Sequence, residues 1–134
     1  MKIMTTAIPP IAVFPEEKLT LDQKIEKWVW QLCRSLEENY DKQYPHNPHP
    51  NIVYNPVRFR MQSGRKYWKI IQTSNNGDNG VHAFVNKKTG EVYKPASWKS
   101  PAKIVRYDLR IISDRQRLHN PIYTDWAGGY LYLR

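Results

Sequence analysis

The chain has 134 residues, 40% apolar and 13% aromatic, which fits one domain with a single two-layer core and argues against a disordered chain. Its 21 Lys/Arg against 12 Asp/Glu leave a net charge of +9, and no apolar run is long enough for a membrane-spanning helix. The one cysteine, Cys33, excludes an internal disulfide and fits a reducing compartment.

The charge is uneven. Residues 1–41 carry five Lys/Arg and seven Asp/Glu, whereas residues 42–134 carry sixteen and five. A basic body behind a near-neutral first third suits an anionic partner, although surplus lysine also simply keeps a small protein in solution.

Residues 1–15 are interrupted by prolines and read as an extended arm rather than a signal peptide. Its Ile3, Met4, Ile8, Ile11, Val13 and Phe14 would want a protein partner or a neighbouring subunit, so residues 3–14 are a candidate protein contact. Residues 16–134 are expected to form a single domain. Thr20 with Gln23 makes a capping box, and Asp22 lies in the first turn, where the helix dipole favours an acid. Ile25, Trp28, Val29, Leu32, Cys33, Leu36 and Tyr40 then recur at three- and four-residue spacing, which predicts a helix over 20–44. Glu26, Lys27, Arg34, Glu37 and Glu38 fall off that stripe, as does Trp30, which is expected against the arm. The prolines of PHNPHP, residues 45–50, end the helix.

Val57, Phe59 and Met61 alternate with Arg58, Arg60 and Gln62, the pattern of a half-buried strand. Ser63-Gly64-Arg65 reads as a turn, residues 66–73 as a second strand, residues 75–80 as a flexible connection and residues 81–86 as a third strand. Residues 87–90 make a hairpin loop, with Gly90 at the position that needs a positive φ, and residues 91–94 a fourth strand. Beyond Pro95, Ser97 can cap one turn through Trp98 and Lys99. Residues 104–112 read as a strand and 113–120 as a loop. The alternation of Leu131 and Leu133 with Tyr130 and Tyr132 is expected to return to the sheet as a buried strand after the Gly128-Gly129 bend. The expected fold is α+β: one long amphipathic helix packed on an antiparallel meander of four or five strands.

Catalytic chemistry finds little support in these residues. Cys33 sits on the apolar stripe, where a thiol is usually inert packing. His46 and His49 are three apart in a proline loop, but no nearby Cys or carboxylate pair completes a tetrahedral metal set. NNGDNG lacks the lysine and the strand-to-helix setting of a phosphate loop. Carboxylates are few and scattered. The expectation is a protein that is not an enzyme, with no catalytic residue, metal or cofactor. The stronger pattern joins cations to aromatics: Arg58 and Arg60 on one strand face, Lys87 and Lys88 on a hairpin, and Lys94, Lys99, Lys103 and Arg106 around Trp98. Cations that neutralise phosphates give most non-specific nucleic-acid affinity, and exposed aromatics stack on unpaired bases. Against this, Trp98 can equally be a core plug and the lysines a solvated face.

The run FVNKKTGEVYKPASWKSPAK, with Phe84 to Lys94 and Ala96 to Lys103, then Arg106 and the closing Leu133-Arg134, resembles a family of small uncharacterised proteins of tailed bacteriophages, including phages of cyanobacteria. The match covers about a quarter of the chain. It implies a viral origin and a compact sheet, with the host cytoplasm during infection or the virion as the place of action, and it carries no activity over. The functional expectation is a small basic phage protein that binds nucleic acid through a basic sheet face and the 94–106 segment. The alternative is a protein–protein module, either a virion component or an inhibitor that docks on a host factor.

Overall fold

The computed structural model describes residues 10–46, 51 and 53–132. Ile3, Met4 and Ile8 of the arm, His49, and the closing Leu133 and Arg134 lie outside the described residues. Helix α1 runs Leu21–Gln43 and opens on the expected capping box, with both the Thr20 side chain and the Gln23 side chain engaged. The apolar stripe is buried from Ile25 to Leu36. It packs on Phe59, Ile70, Ala83, Val85, Val92, Leu109 and Leu118, which builds one core between the helix and one face of a sheet. Glu37 departs from expectation: although off the stripe, it is only 2% exposed. Its carboxylate accepts from Arg34 Nη1 at 2.7 Å and from the Phe59 backbone N–H at 3.0 Å. The end of the arm is not extended throughout, because Pro10–Val13 forms a 3-10 turn, and a second one, Glu16–Lys18, follows it. Lys27 donates to the Phe14 carbonyl at 3.3 Å and the Trp28 indole N–H to the Glu16 carboxylate, which tie this stretch to the helix.

Five antiparallel strands follow in simple meander order: β1 Arg58–Ser63, β2 Tyr67–Ser74, β3 Gly77–Asn86, β4 Glu91–Pro95 and β5 Pro101–Asp108. The fold is therefore α+β, as expected. Residues 75–80 are not a flexible connection. Asn75 and Asn76 form a tight turn, Gly77 takes φ +108° and pairs with Ser74, and the strand starts there. A polar turn followed by a glycine in the left-handed region suits the right-handed twist of a hairpin. The β3–β4 hairpin is as expected, with Gly90 at φ +75° and the Asn86 carboxamide oxygen accepting the N–H groups of Lys88 and Thr89 at 2.8 and 3.1 Å. A register shift between Ile70 and Ile71 leaves His82 without an opposite residue. That bulge places His82 beside its neighbour Ala83 on the helix side, edge-on to the Phe59 ring at 5.1 Å.

The second half differs most from the sequence reading. The strand expected over 104–112 is β5 and ends at Asp108. The loop expected over 113–120 contains helix α2, Ile112–Leu118. Asp114 accepts the Asp108 backbone N–H at 2.9 Å, Arg115 donates to the Leu109 carbonyl at 2.7 Å, and Leu118 plugs the core, so the chain turns into a helix where the apolar run suggested more strand. The tail is likewise no strand: Gly129–Leu131 is a 3-10 turn that buries the adjacent Tyr130 and Leu131 together. The segment leading to it is sewn to α1. Asn39 Nδ2 donates to the Pro121 carbonyl at 2.8 Å and Asn39 Oδ1 accepts the Trp126 N–H at 3.0 Å. The Ser35 and Thr124 hydroxyls lie 3.1 Å apart, and His119 Nε2 bonds the Trp28 carbonyl at 2.9 Å. Burial of the C-terminal turn thus survives the correction, by a different geometry. Leu131→Ala is expected to lower stability by roughly 2–5 kcal/mol in urea unfolding. Ile122→Ala, at a side chain 82% exposed, should change it by less than about 0.5 kcal/mol. Equal effects at the two positions would show that the tail is not part of the core.

Candidate nucleic-acid interface

The helix covers one face of the sheet. On the other face, cross-strand register aligns Gln62, Lys69, Phe84, Tyr93 and Val105 in one row. Tyr67 stands edge-on to Phe84 at 5.8 Å and to Tyr93 at 6.0 Å between ring centroids. Lys69 lies over the Phe84 ring at 5.7 Å and over the Trp98 ring at 5.1 Å. Burial, with the Glu91 carboxylate accepting its hydroxyl proton, pushes Tyr93 up to about 12, so this face gains no phenolate near neutral pH.

Trp98 sits at the tip of the β4–β5 loop, and that loop is internally held. The Ala96 and Ser97 N–H groups donate to the Ser100 carbonyl at 3.0 and 3.1 Å. The Lys99 and Ser100 N–H groups donate to Ser97 Oγ, each at 3.2 Å. The single turn expected through Ser97, Trp98 and Lys99 is thus present, capped by the Ser97 hydroxyl. The hydrogen-bonded turn carries one indole, 46% exposed, on the side of the sheet where Lys69 lies. Lys99, its neighbour in the loop, and Lys103, near the start of β5, are exposed.

The nine cationic and aromatic candidates fall into three groups: Arg58, Arg60, Lys87, Lys94 and Arg106 are engaged by other residues, Lys88 stands apart, and Trp98, Lys99 and Lys103 belong to the β4–β5 loop and the start of β5. Arg58 donates to Asp41 at 2.9 Å and to the Val57 carbonyl at 2.8 Å, which ties the start of β1 to the end of α1. Arg60 makes a two-pronged contact with Asp78 at 3.2 and 2.7 Å, and that fork holds the Asp78 carboxyl below the usual carboxylate range. Lys87 bonds Ser63 Oγ and covers the Trp68 ring at 4.6 Å. Lys94 covers the Tyr132 ring at 4.9 Å. Arg106 Nη1 reaches the Ile104 carbonyl at 3.3 Å, while its Nε is buried with no hydrogen-bond partner among the described residues. Lys88 is exposed at the hairpin tip, away from this cluster. The structure sets Lys69 against the Trp98 ring and puts Tyr67 and Tyr93 on the same sheet face, three residues that sequence reasoning missed, while Lys99 and Lys103 are exposed in the β4–β5 loop and near the start of β5. The only signal for them was position: in KYWKIIQT, residues 66–73, Tyr67 and Lys69 share one strand face, and that face became informative only once the helix was seen to cover the other.

A second polar cluster runs from buried His82 and Tyr130 out to the exposed Tyr123 on the helix side. His82 Nε2 and the Tyr130 hydroxyl are 2.7 Å apart, the Tyr107 hydroxyl donates to the Tyr130 carbonyl at 2.6 Å, and the Tyr107 and Tyr123 hydroxyls are 2.7 Å apart. Burial drives His82 down to about 4 and raises Tyr130, so both stay neutral. Burial also raises the Cys33 thiol, with the Glu37 carboxylate adding to the rise, which keeps it protonated and unreactive. Among the described residues, no group of three His, Cys, Asp or Glu is placed to hold a metal ion, and no helix is long and apolar enough to cross a membrane. His46 stacks edge-on to Tyr54 at 4.1 Å between ring centroids.

A family profile matches residues 13–133, and the chain belongs to that family, DUF7717, a family of unknown function. No curated protein and no solved structure matches the chain.

The neutral His82 makes stability depend on pH. The unfolded chain protonates this ring near 6.5 and the folded one near 4, so the unfolded state binds more protons between those values. Stability should be full above about pH 6.5 and fall as pH drops through the window, by on the order of 3 kcal/mol in all. His119, also lowered by burial, adds in the same direction. Urea unfolding at neutral pH and at about pH 4.5 measures this. His82→Gln should remove most of the slope, and a variant that keeps the whole slope would assign it to other groups.

Proposed function

We propose that this chain is a small basic protein, without enzymatic activity, that binds single-stranded nucleic acid on the open sheet face and the β4–β5 loop. The resemblance in its 84–106 segment supports a phage origin, with action in the infected host's cytoplasm or in the virion. The observation that carries the reading is Trp98. A large apolar ring normally goes into a core, and here a rigid hydrogen-bonded loop holds it half in water with a lysine against it. Stacking platforms for unpaired bases combine such a ring with cations that follow the backbone. Lys69, Lys99 and Lys103 supply those cations, and none of the salt bridges among the described residues involves them.

Affinity for a single-stranded oligonucleotide should fall steeply with salt. Replacing Lys69, Lys99 and Lys103 together by Gln should flatten the log–log slope by about two units, since each single-strand phosphate contact adds roughly 0.7. Anisotropy titrations across salt concentrations measure this. Affinity that ignores salt, or no binding at low salt, would overturn the proposal.

A protein–protein role has one observation in its favour: Val13 and Phe14 are 68% and 52% exposed side by side, next to the apolar residues of the arm. Deleting residues 1–14 should leave cooperative melting intact, because the capping box at Thr20 starts α1 without them. The same deletion should abolish self-assembly or capture of a protein partner if the arm is a contact. Loss of cooperative melting would instead make the arm part of the core.

A further inference from the structure

A cleft of about 200 Å³ lies where the ends of β2, β3 and β4 meet the C-terminal turn. Gln72, Asn79, Lys94 and Tyr132 stand on its walls, with the buried His82 at its inner side. A shallower depression beside Trp98 shares two residues with it, Val81 and Pro95, so the two hollows meet across one ridge. Each hollow is lined by an exposed ring that has a lysine over it; in the cleft that lysine, Lys94, also lines the wall, whereas Lys69 reaches the Trp98 ring from the sheet face. Lys69 lies 5.1 Å from the Trp98 ring on one side, and Lys94 lies 4.9 Å from the Tyr132 ring on the other. Tyr132 is 61% exposed, although its neighbours Tyr130 and Leu131 are buried.

We infer that the Tyr132 cleft is a second base subsite, which receives the nucleotide next to the one stacked on Trp98. The inference rests on the nucleic-acid reading above and gives it a direction: the strand crosses the Val81–Pro95 ridge, from the open sheet face to the end of the sheet. Three features favour a base over another small ligand. First, the cleft is smaller than the roughly 300–1,000 Å³ of a pocket for a whole drug-sized molecule, so it fits one ring system and leaves sugar and phosphate outside. Second, a base is planar and needs a ring to stack on and a cation near its phosphate, which Tyr132 and Lys94 supply. Third, carboxamides carry both donor and acceptor, the complement of a base edge. Gln72 Oε1 accepts from Asn79 Nδ2 at 3.3 Å, so the two amides form one polar wall, and Ser74 Oγ donates to Asn79 Oδ1 at 3.2 Å to steady it. Non-specific stacking belongs to the Trp98 side. Any preference among bases belongs to the amide wall.

The test uses the full-length chain, a fluorescently labelled single-stranded DNA oligonucleotide, and anisotropy at one fixed low salt. Tyr132→Ala should weaken binding by about tenfold, the loss of one stacked base, and Tyr132→Phe should bind as the wild type does. Asn79→Ala should narrow the spread of affinities among homopolymers of the four bases while leaving tight binding in place. Trp98→Ala separates the two proposals. If Trp98→Ala weakens binding and Tyr132→Ala does not, the second subsite is overturned and the platform stands. If the wild type does not bind, both fall. Tyr132 is exposed, so its loss leaves the fold intact, and unchanged urea unfolding of Tyr132→Ala confirms that the effect is on binding.

Discussion

The Glu37 carboxylate fixes how the helix sits on the sheet. A helix packed only through an apolar stripe can roll, because burial of apolar surface has no direction. A buried acid cannot roll, because taking it from water is costly unless its partners stay in place. Glu37 holds Phe59 through its outward-facing N–H, on an edge strand that hydrogen-bonds to one neighbour only. On the other flank of the stripe, Ser35 and Asn39 are one turn apart on a single helix face and hold residues 121–126. The three polar residues act as opposed tethers: one pulls the helix to β1, and two pull it to the C-terminal segment. With the roll fixed, Leu32 and Leu36 between them can only point into the core.

That arrangement uses one face of the sheet, and among the described residues no second layer covers the other. A bare apolar face would be a liability, and the chain handles it with side chains rather than with another element. Phe84 is only 2% exposed, yet it is covered from its own face, by Tyr67 edge-on and by the stem of Lys69. The covering residues are amphipathic, so the face is greasy beneath and basic on top. The exposed edge at β5 is managed similarly. Lys103 flanks the exposed Ile104 and Val105, a charge placed where edge-to-edge pairing would otherwise start.

What could be read from the sequence was what depends on near neighbours. The capping box, the stripe of α1 and the KKTG hairpin each involve residues within a few positions of one another, and all three were legible. The errors came where one particular partner, near or far, overrides composition and period. NNGDNG has the composition of a linker, and only the pairing of Ser74 with Gly77 makes it a hairpin. IVRYDLRII is apolar enough for one long strand, but Asp114 captures the Asp108 N–H and starts a helix instead. The tail alternates like a strand, yet Tyr130 must meet His82 and Leu131 must meet the core, and a 3-10 turn serves both where a strand would send them to opposite faces. For the interface, the sequence showed how many cations there are but not which ones the fold consumes. Arg58 and Arg60 looked like part of a binding face until their partners Asp41 and Asp78 arrived from 17 and 18 positions away.

That consumption follows the chemistry of the two cations. Among the described residues, the salt bridges are made by Arg34, Arg58, Arg60, Arg110 and Arg117, with Lys42 the one lysine. A guanidinium presents a rigid fork that matches a carboxylate, so the few acids of a basic chain are drawn to arginine. Lysine offers a mobile point charge on an apolar stem, which lies along a ring and keeps its ammonium in water. The positive charge around Trp98 is therefore lysine charge that makes no salt bridge among the described residues, and Lys69 rests on aromatic surface. Such a cluster repels itself and gives the folded state little in return. Under the nucleic-acid reading proposed above, phosphates following the same surface would relieve that repulsion and release their own counterions.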